Sequence, residues 1–207
     1  MAKFLIFLLL TGICGYLAST QVFPLLLVVF RRRVRHRRLA APSEPDGPAV
    51  QQARELGFAY LGSREERLGP WRRRTWCFAC SDGVCLDLAA TEHLARSYLA
   101  TFWTDGAAVL TKVGHGRSVR EASYFSSYAT YEHLSRLLAE HHRAEHSVTD
   151  VGARILPRTI EERIAAAETW WRRHAQVEYR IPAVLGATLA AGAVALWVYG
   201  VAQLLIL

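Results

Sequence analysis

Two blocks of 27 residues without a formal charge, Phe4–Phe30 and Ile181–Leu207, lie near the two ends of this 207-residue chain. A helix needs about 20 apolar residues to cross a hydrocarbon layer ~30 Å thick, so either block can span a bilayer with some tilt. The 52% hydrophobic content is concentrated in these blocks, and the stretch between them is mixed. The pattern predicts a membrane protein with one central domain. A cleaved leader is the competing reading of the first block, because Lys3 precedes it and Ala18, Ser19 and Thr20 are small. The apolar run nevertheless continues from Val22 to Phe30 and stops at arginines, as a retained anchor does. Pro24 should kink this span or split it into a re-entrant pair.

A net charge of +7 and a pI near 9.6 suggest nucleic acid until the charges are located. Lys3 and the six arginines Arg31, Arg32, Arg33, Arg35, Arg37 and Arg38 hold the whole excess. The other 18 basic residues equal the 18 acids, all of which follow residue 38. The balance disfavours nucleic acid and assigns the excess to a membrane edge, with the lipid bilayer and its anionic headgroups as partners. Trp170, Trp171 and Tyr179, set among Arg172, Arg173 and Arg180, have the make-up of an interfacial belt before the second block. Arginines beside a span stay on the cytoplasmic side. Both flanks therefore place residues 31–180 inside and both termini outside, in a multi-pass protein of the inner (plasma) membrane.

The expected organisation is a signal anchor at 1–30, a basic juxtamembrane segment and linker at 31–48, a cytoplasmic α+β domain at 49–156, an amphipathic helix at 157–180 and a C-terminal span at 181–207. In the domain, Asp82-Gly83 and Asp105-Gly106 each divide two strand-like runs, and a two-residue Asp-Gly loop is a strong hairpin signal. Four strands result, with a fifth at Val119 to Phe125, in a small antiparallel sheet. Residues 63–74 are polar and arginine-rich and read as a loop. Amphipathic helices cover the sheet: one from the apolar spacing of Tyr131, Leu134, Leu137 and Leu138, and one opened by the capping-box pair Thr159 and Glu162, with Ile160, Ile164, Ala167 and Trp171 on its inner side.

Candidate chemistry is sparse. Cys77, Cys80 and Cys85 have the C-x2-C-x4-C spacing of half a zinc site. A two-residue turn, however, puts Cys80 opposite Cys85 and Cys77 on the other face. Buried free thiols are the competing reading. His142 and His146 stand four apart on one helix face, a metal half-site spacing, yet histidine near a helix C-terminus also suits the helix dipole. In the terminal blocks Gly12, Gly15 and Ser19, and Ala183, Gly186, Ala187, Ala190, Ala191 and Ala195, form small-residue stripes suited to helix packing, with a membrane-protein partner or a second copy. No cofactor is implied. The leading expectation is a non-catalytic scaffold, regulatory module or small subunit of a membrane complex; the alternative is a membrane-anchored thiol- or metal-dependent enzyme.

Overall fold

A computed structural model describes residues 2–30, 33–40, 45–69, 71–89, 97–130 and 133–206. The chain divides into two units, the terminal segments Met1–Arg33 with Gln176–Leu207, and the domain Val34–Ala175.

In the terminal unit, helix α1 (Ala2–Thr20) and helix α2 (Val22–Val28) meet at Gln21 with a bend of 56° between them. In an unbroken helix the ring of Pro24 would collide with the carbonyl four residues earlier, that of Thr20, and the break at Gln21 relieves this. The expected N-terminal transmembrane helix is thus corrected to a broken pair, which has the length and apolarity of a span only when its halves are counted together. Among the described residues, the single helix that is long and apolar enough to cross a membrane unaided is Ala175–Ala202, within the last helix, Ala175–Ile206.

The domain departs further from expectation. Among the described residues its sheet has eight strands rather than four or five: β1 (Arg35–Leu39), β2 (Ala59–Leu68), β3 (Trp71–Ala79), β4 (Cys85–Ala89), β5 (Tyr98–Phe102), β6 (Ala108–Val113), β7 (Val119–Glu121) and β8 (Tyr124–Ala129). Their order is β1-β2-β3-β4-β5-β6-β8-β7, and the one parallel pair, β6 with β8, makes the sheet mixed. The added strands come from charged sequence. Half of the basic run is the edge strand β1, and the arginine-rich stretch expected as a loop is the body of a long β2–β3 hairpin. Part of this ladder sets acids against bases, Glu65 opposite Arg74 and Glu66 opposite Arg73, while Arg35, Arg67 and Arg72 face one another at exposed positions where solvent screens them. A charged edge strand also resists pairing with another sheet.

Both Asp-Gly hairpins are present, each with one more loop residue than expected. The backbone N–H of Cys80 bonds Val84 O and that of Gly83 bonds Cys80 O, and the same pattern joins Trp103, Ala107 and Gly106. Gly83 and Gly106 take φ of +88° and +87°, where a side chain is disfavoured, and produce a bulged three-residue loop. In each loop the aspartate accepts the amide two residues on, at 3.1 Å.

Helices cover both faces of the sheet. Helix α3 (Pro48–Glu55) and helix α4 (Leu134–Glu145) close one face over an apolar core that includes Phe78, Leu86, Leu88, Leu99 and Leu137. Ser126 and Ser127 lie in β8; the first amide of α4 is capped by the Gln52 side chain of α3. Helix α5 (Ile160–Arg173) lies on the other face and does carry the Thr159–Glu162 capping box. Its buried side is Ile160, Arg163, Ala166, Ala167 and Trp170, so an arginine faces inward and Trp170 replaces Trp171.

Candidate functional site

The bulged loop moves the cysteines. Ala79 faces Cys85 and Cys77 faces Asp87, so Cys77 and Cys85 share a face while Cys80 sits at the turn, because one extra loop residue inverts the parity of a strand. That face holds the polar centre of the domain. Asp87, fully buried on β4, accepts from Arg163 Nε at 3.1 Å and Nη2 at 2.9 Å, from Tyr98 Oη at 2.6 Å and from Arg64. Arg64 also donates to Tyr98 Oη at 2.7 Å and His36 Nδ1 at 3.2 Å, and lies 2.8 Å from Glu66 Oε1, which receives Trp171 Nε1 at 3.4 Å.

Burial alone would raise the Asp87 carboxyl, but Arg163 and then Arg64 hold it far below the ordinary range. Burial opposes ionisation of Glu66 likewise, and Arg64 and Arg73 keep it charged. His36 is lowered to about 4 by burial and then by Arg64. The Cys77 thiol is pushed far up by burial and that of Cys85 to about 11. A carboxylate saturated by two guanidiniums and a phenol has no proton to exchange near neutrality, and thiols so placed are poor nucleophiles. This network is a means of joining β2, β4, β5 and α5.

A second network lies under α4. His141, fully buried, is bonded by Nε2 to Thr101 Oγ1 and by Nδ1 to Thr111 Oγ1, both at 2.9 Å. Thr101 gives its own proton to Glu145 at 2.5 Å, which makes Nε2 the donor and Nδ1 an acceptor, the neutral tautomer. Burial lowers this histidine to about 4. Arg154 joins Glu145 at 2.8 Å and donates to Asp82 O at 2.8 Å, linking α4 to the first Asp-Gly turn. Cys80 donates to Asp82 at 2.7 Å, and its thiol is pushed up to about 12 by burial and by that bond.

The histidines singled out from spacing do not converge. His142 is half-exposed, 3.3 Å from Glu145 and 3.7 Å from Asp82, whereas His146 is exposed; the inward one is His141, which a spacing of four passes over. Among the described residues no three His, Cys, Asp or Glu side chains are placed to hold a metal.

The expected interfacial groups also separate. Arg31 and Arg32 lie outside the described residues, and Arg33 is exposed. Arg35 and Arg37 project from β1, and Arg38 pairs with Glu161 of α5 at 2.5 Å. Trp170 is 6% exposed and packs on Tyr124, so it belongs to the core rather than to a belt, while Trp171 is half-buried beside His36. Arg172 is exposed, and Arg173 donates to the Asp105 carbonyl of the second turn. Tyr179 stacks edge-on with Phe23, and Arg180 is exposed.

Of the small residues, Ala183 and Gly186 are buried, and a Cβ on Gly186 would meet Gln21 Cβ at 2.5 Å. Ala190 is half-buried, and Ala187, Ala191, Ala195, Gly12, Gly15 and Ser19 are exposed. The packed stripe thus steps by three and four rather than by four throughout, as a helix of 3.6 residues per turn requires.

Comparison with protein-family models, curated proteins and solved structures finds no match.

Proposed function

We propose that the chain is a membrane-anchored protein whose mixed domain is a non-catalytic binding module: a scaffold, a regulatory element or a small subunit of a membrane complex. The observation carrying this reading is the state of its reactive groups. Asp87 and His141 are buried and hydrogen-bonded within the domain, Cys77 and Cys85 are buried, and Cys80 is tied to Asp82. A thiol- or metal-dependent enzyme would need an activated thiolate or convergent ligands.

The same reading places the domain in the cytoplasm and both termini outside, in the inner (plasma) membrane, with the bent N-terminal pair as one broken span. It rests on the arginines that flank both apolar segments. The exposed Gly12, Gly15 and Ser19 are then free to contact a membrane partner or a second copy.

The direct test is isolation of the full chain in mild detergent. A stoichiometric companion or a stable homo-oligomer is expected; a monomer that turns over a substrate and loses that activity in Cys80→Ser would overturn the proposal. Topology is read by Ser135→Cys, at an exposed position of α4, since the raised Cys80 thiol reacts slowly. An impermeant maleimide should label it in broken but not in intact cells.

A further inference from the structure

Helix α5 packs against β1 and β2 on one face of the sheet, and the other face of that end is exposed. Strand register places Arg37, Glu65 and Arg74 in one cross-strand row and Arg35, Arg67 and Arg72 in the next. The two rows are two residues apart along each strand, so all six side chains stand on one face, the face that α3 and α4 cover further along. The five arginines are exposed. Glu65 is the one acid among them and is met by Arg74 at 3.4 Å, while Arg35, Arg37 and Arg72 have no acidic partner among the described residues. The opposite face of the same strands carries Arg64 and Glu66, both buried in the Asp87 network. The charge balance of the whole domain thus conceals a local excess: five exposed arginines share one face of these strands with a single acid.

We propose that this arginine face docks on the anionic headgroups of the membrane that holds the chain, making the lipid surface the first partner of the binding module; the inference rests on the membrane-anchored reading above. Charge complementarity argues for that occupant. Guanidiniums repeated about 5 Å across strands and about 7 Å along them match a flat field of phosphates, and each basic residue near an anionic surface strengthens binding about fivefold. Connectivity adds to it. Four residues separate Phe30, the last of the apolar run, from Arg35, so the tether is short and individually weak contacts act at high local concentration.

The test uses the full chain in nanodiscs of neutral phosphatidylcholine or of phosphatidylcholine with phosphatidylglycerol. Exposed arginines are modified with p-hydroxyphenylglyoxal and read by mass spectrometry. The expected result is several-fold lower modification of Arg35, Arg37, Arg67, Arg72 and Arg74 in the anionic discs, lost at high salt, with exposed Arg117 and Arg136 unchanged between discs. In Arg35→Glu/Arg67→Glu/Arg72→Glu the protection of Arg37 and Arg74 should disappear while the melting temperature in neutral discs is kept. Equal modification in both discs overturns the proposal. So does protection in neutral discs by single-stranded RNA without protection by phosphatidylglycerol, which would reassign the face to nucleic acid. If lipid protection fails while a companion still co-purifies, the lipid assignment falls and the binding-module reading stands.

Discussion

The two faces of the sheet are closed by opposite means. Under α3 and α4 the contact is hydrocarbon, from Phe78, Leu86, Leu88, Leu99 and Leu137. Under α5 it is ionic, with one aspartate held between two arginines that are all inaccessible to solvent. Consecutive residues of one strand, Leu86 and Asp87, therefore serve two different cores. Apolar contact is non-directional and degrades gradually when a side chain is trimmed. A buried ion pair is directional, and removing one partner strands the other in a medium that cannot solvate it.

The largest effect should accordingly come from the ionic face. Asp87→Ala leaves Arg64 and Arg163 uncompensated and should cost about 3–5 kcal/mol, enough to unfold the domain in many buffers. Replacing the set together, Asp87→Leu, Tyr98→Phe and Arg163→Met, which leaves Arg64 its Glu66 partner at 2.8 Å, should recover most of that loss, since hydrophobic residues of similar volume are often neutral or better in such positions. Denaturant unfolding of the purified chain measures both. If the triple variant is no more stable than Asp87→Ala, the network does more than satisfy its own charges. On the apolar face, Leu86→Ala should cost about 3 kcal/mol, and no second substitution nearby should restore it in the same way.

Acid distinguishes the faces by sequence of events. His141 under α4 and His36 on the ionic face are both lowered to about 4. The unfolded chain takes up protons near pH 6.5 and the folded one does not, so stability falls as pH drops from about 6.5 towards 4, by roughly 2–3 kcal/mol per histidine. The depressed Asp87 and Glu66 carboxyls add their loss below about pH 4. Melting temperature against pH should show the first decline above pH 5. His141→Gln should flatten that decline whatever it does to the stability at neutral pH, because the slope counts protons.

What the sequence could announce depended on whether partners were local. The Asp-Gly turns, the Thr159 capping box and the apolar period of α4 are signals within a few residues, and all were readable. The ionic network was not. Asp87 and Arg163 are 76 positions apart, and an arginine at position 163 is indistinguishable by pattern from one on a wet helix face. A hint existed: an acid inside VCLDLAA, a run otherwise apolar, requires a buried base. The charged strands failed for a related reason. Strand recognition relied on apolar alternation, whereas β1 and the outer half of β2–β3 carry charged residues on both faces. The loop parity failed by one residue, because Asp-Gly serves both two-residue and bulged three-residue turns.

The smallest effects lie in the caps of the two covering helices, and they separate local from remote support. Helix α5 is capped by its own sequence: Glu162 N–H bonds Thr159 Oγ1 at 3.2 Å, and the Glu162 carboxylate returns to Thr159 N–H at 3.3 Å. Thr159→Ala should cost about 1 kcal/mol, and Thr159→Ser or Thr159→Asp should restore most of it, since any short oxygen serves at that position. Helix α4 borrows its cap from α3, where Gln52 Oε1 accepts Leu134 N–H at 3.0 Å across 82 residues of chain. Gln52→Ala should cost a similar amount, but Gln52→Asn should not restore it, because the shorter side chain cannot bridge two helices. Hydrogen exchange gives the sharper reading. Opening of α3 and α4 should become more frequent together in Gln52→Ala, while Thr159→Ala should loosen the first turn of α5 alone.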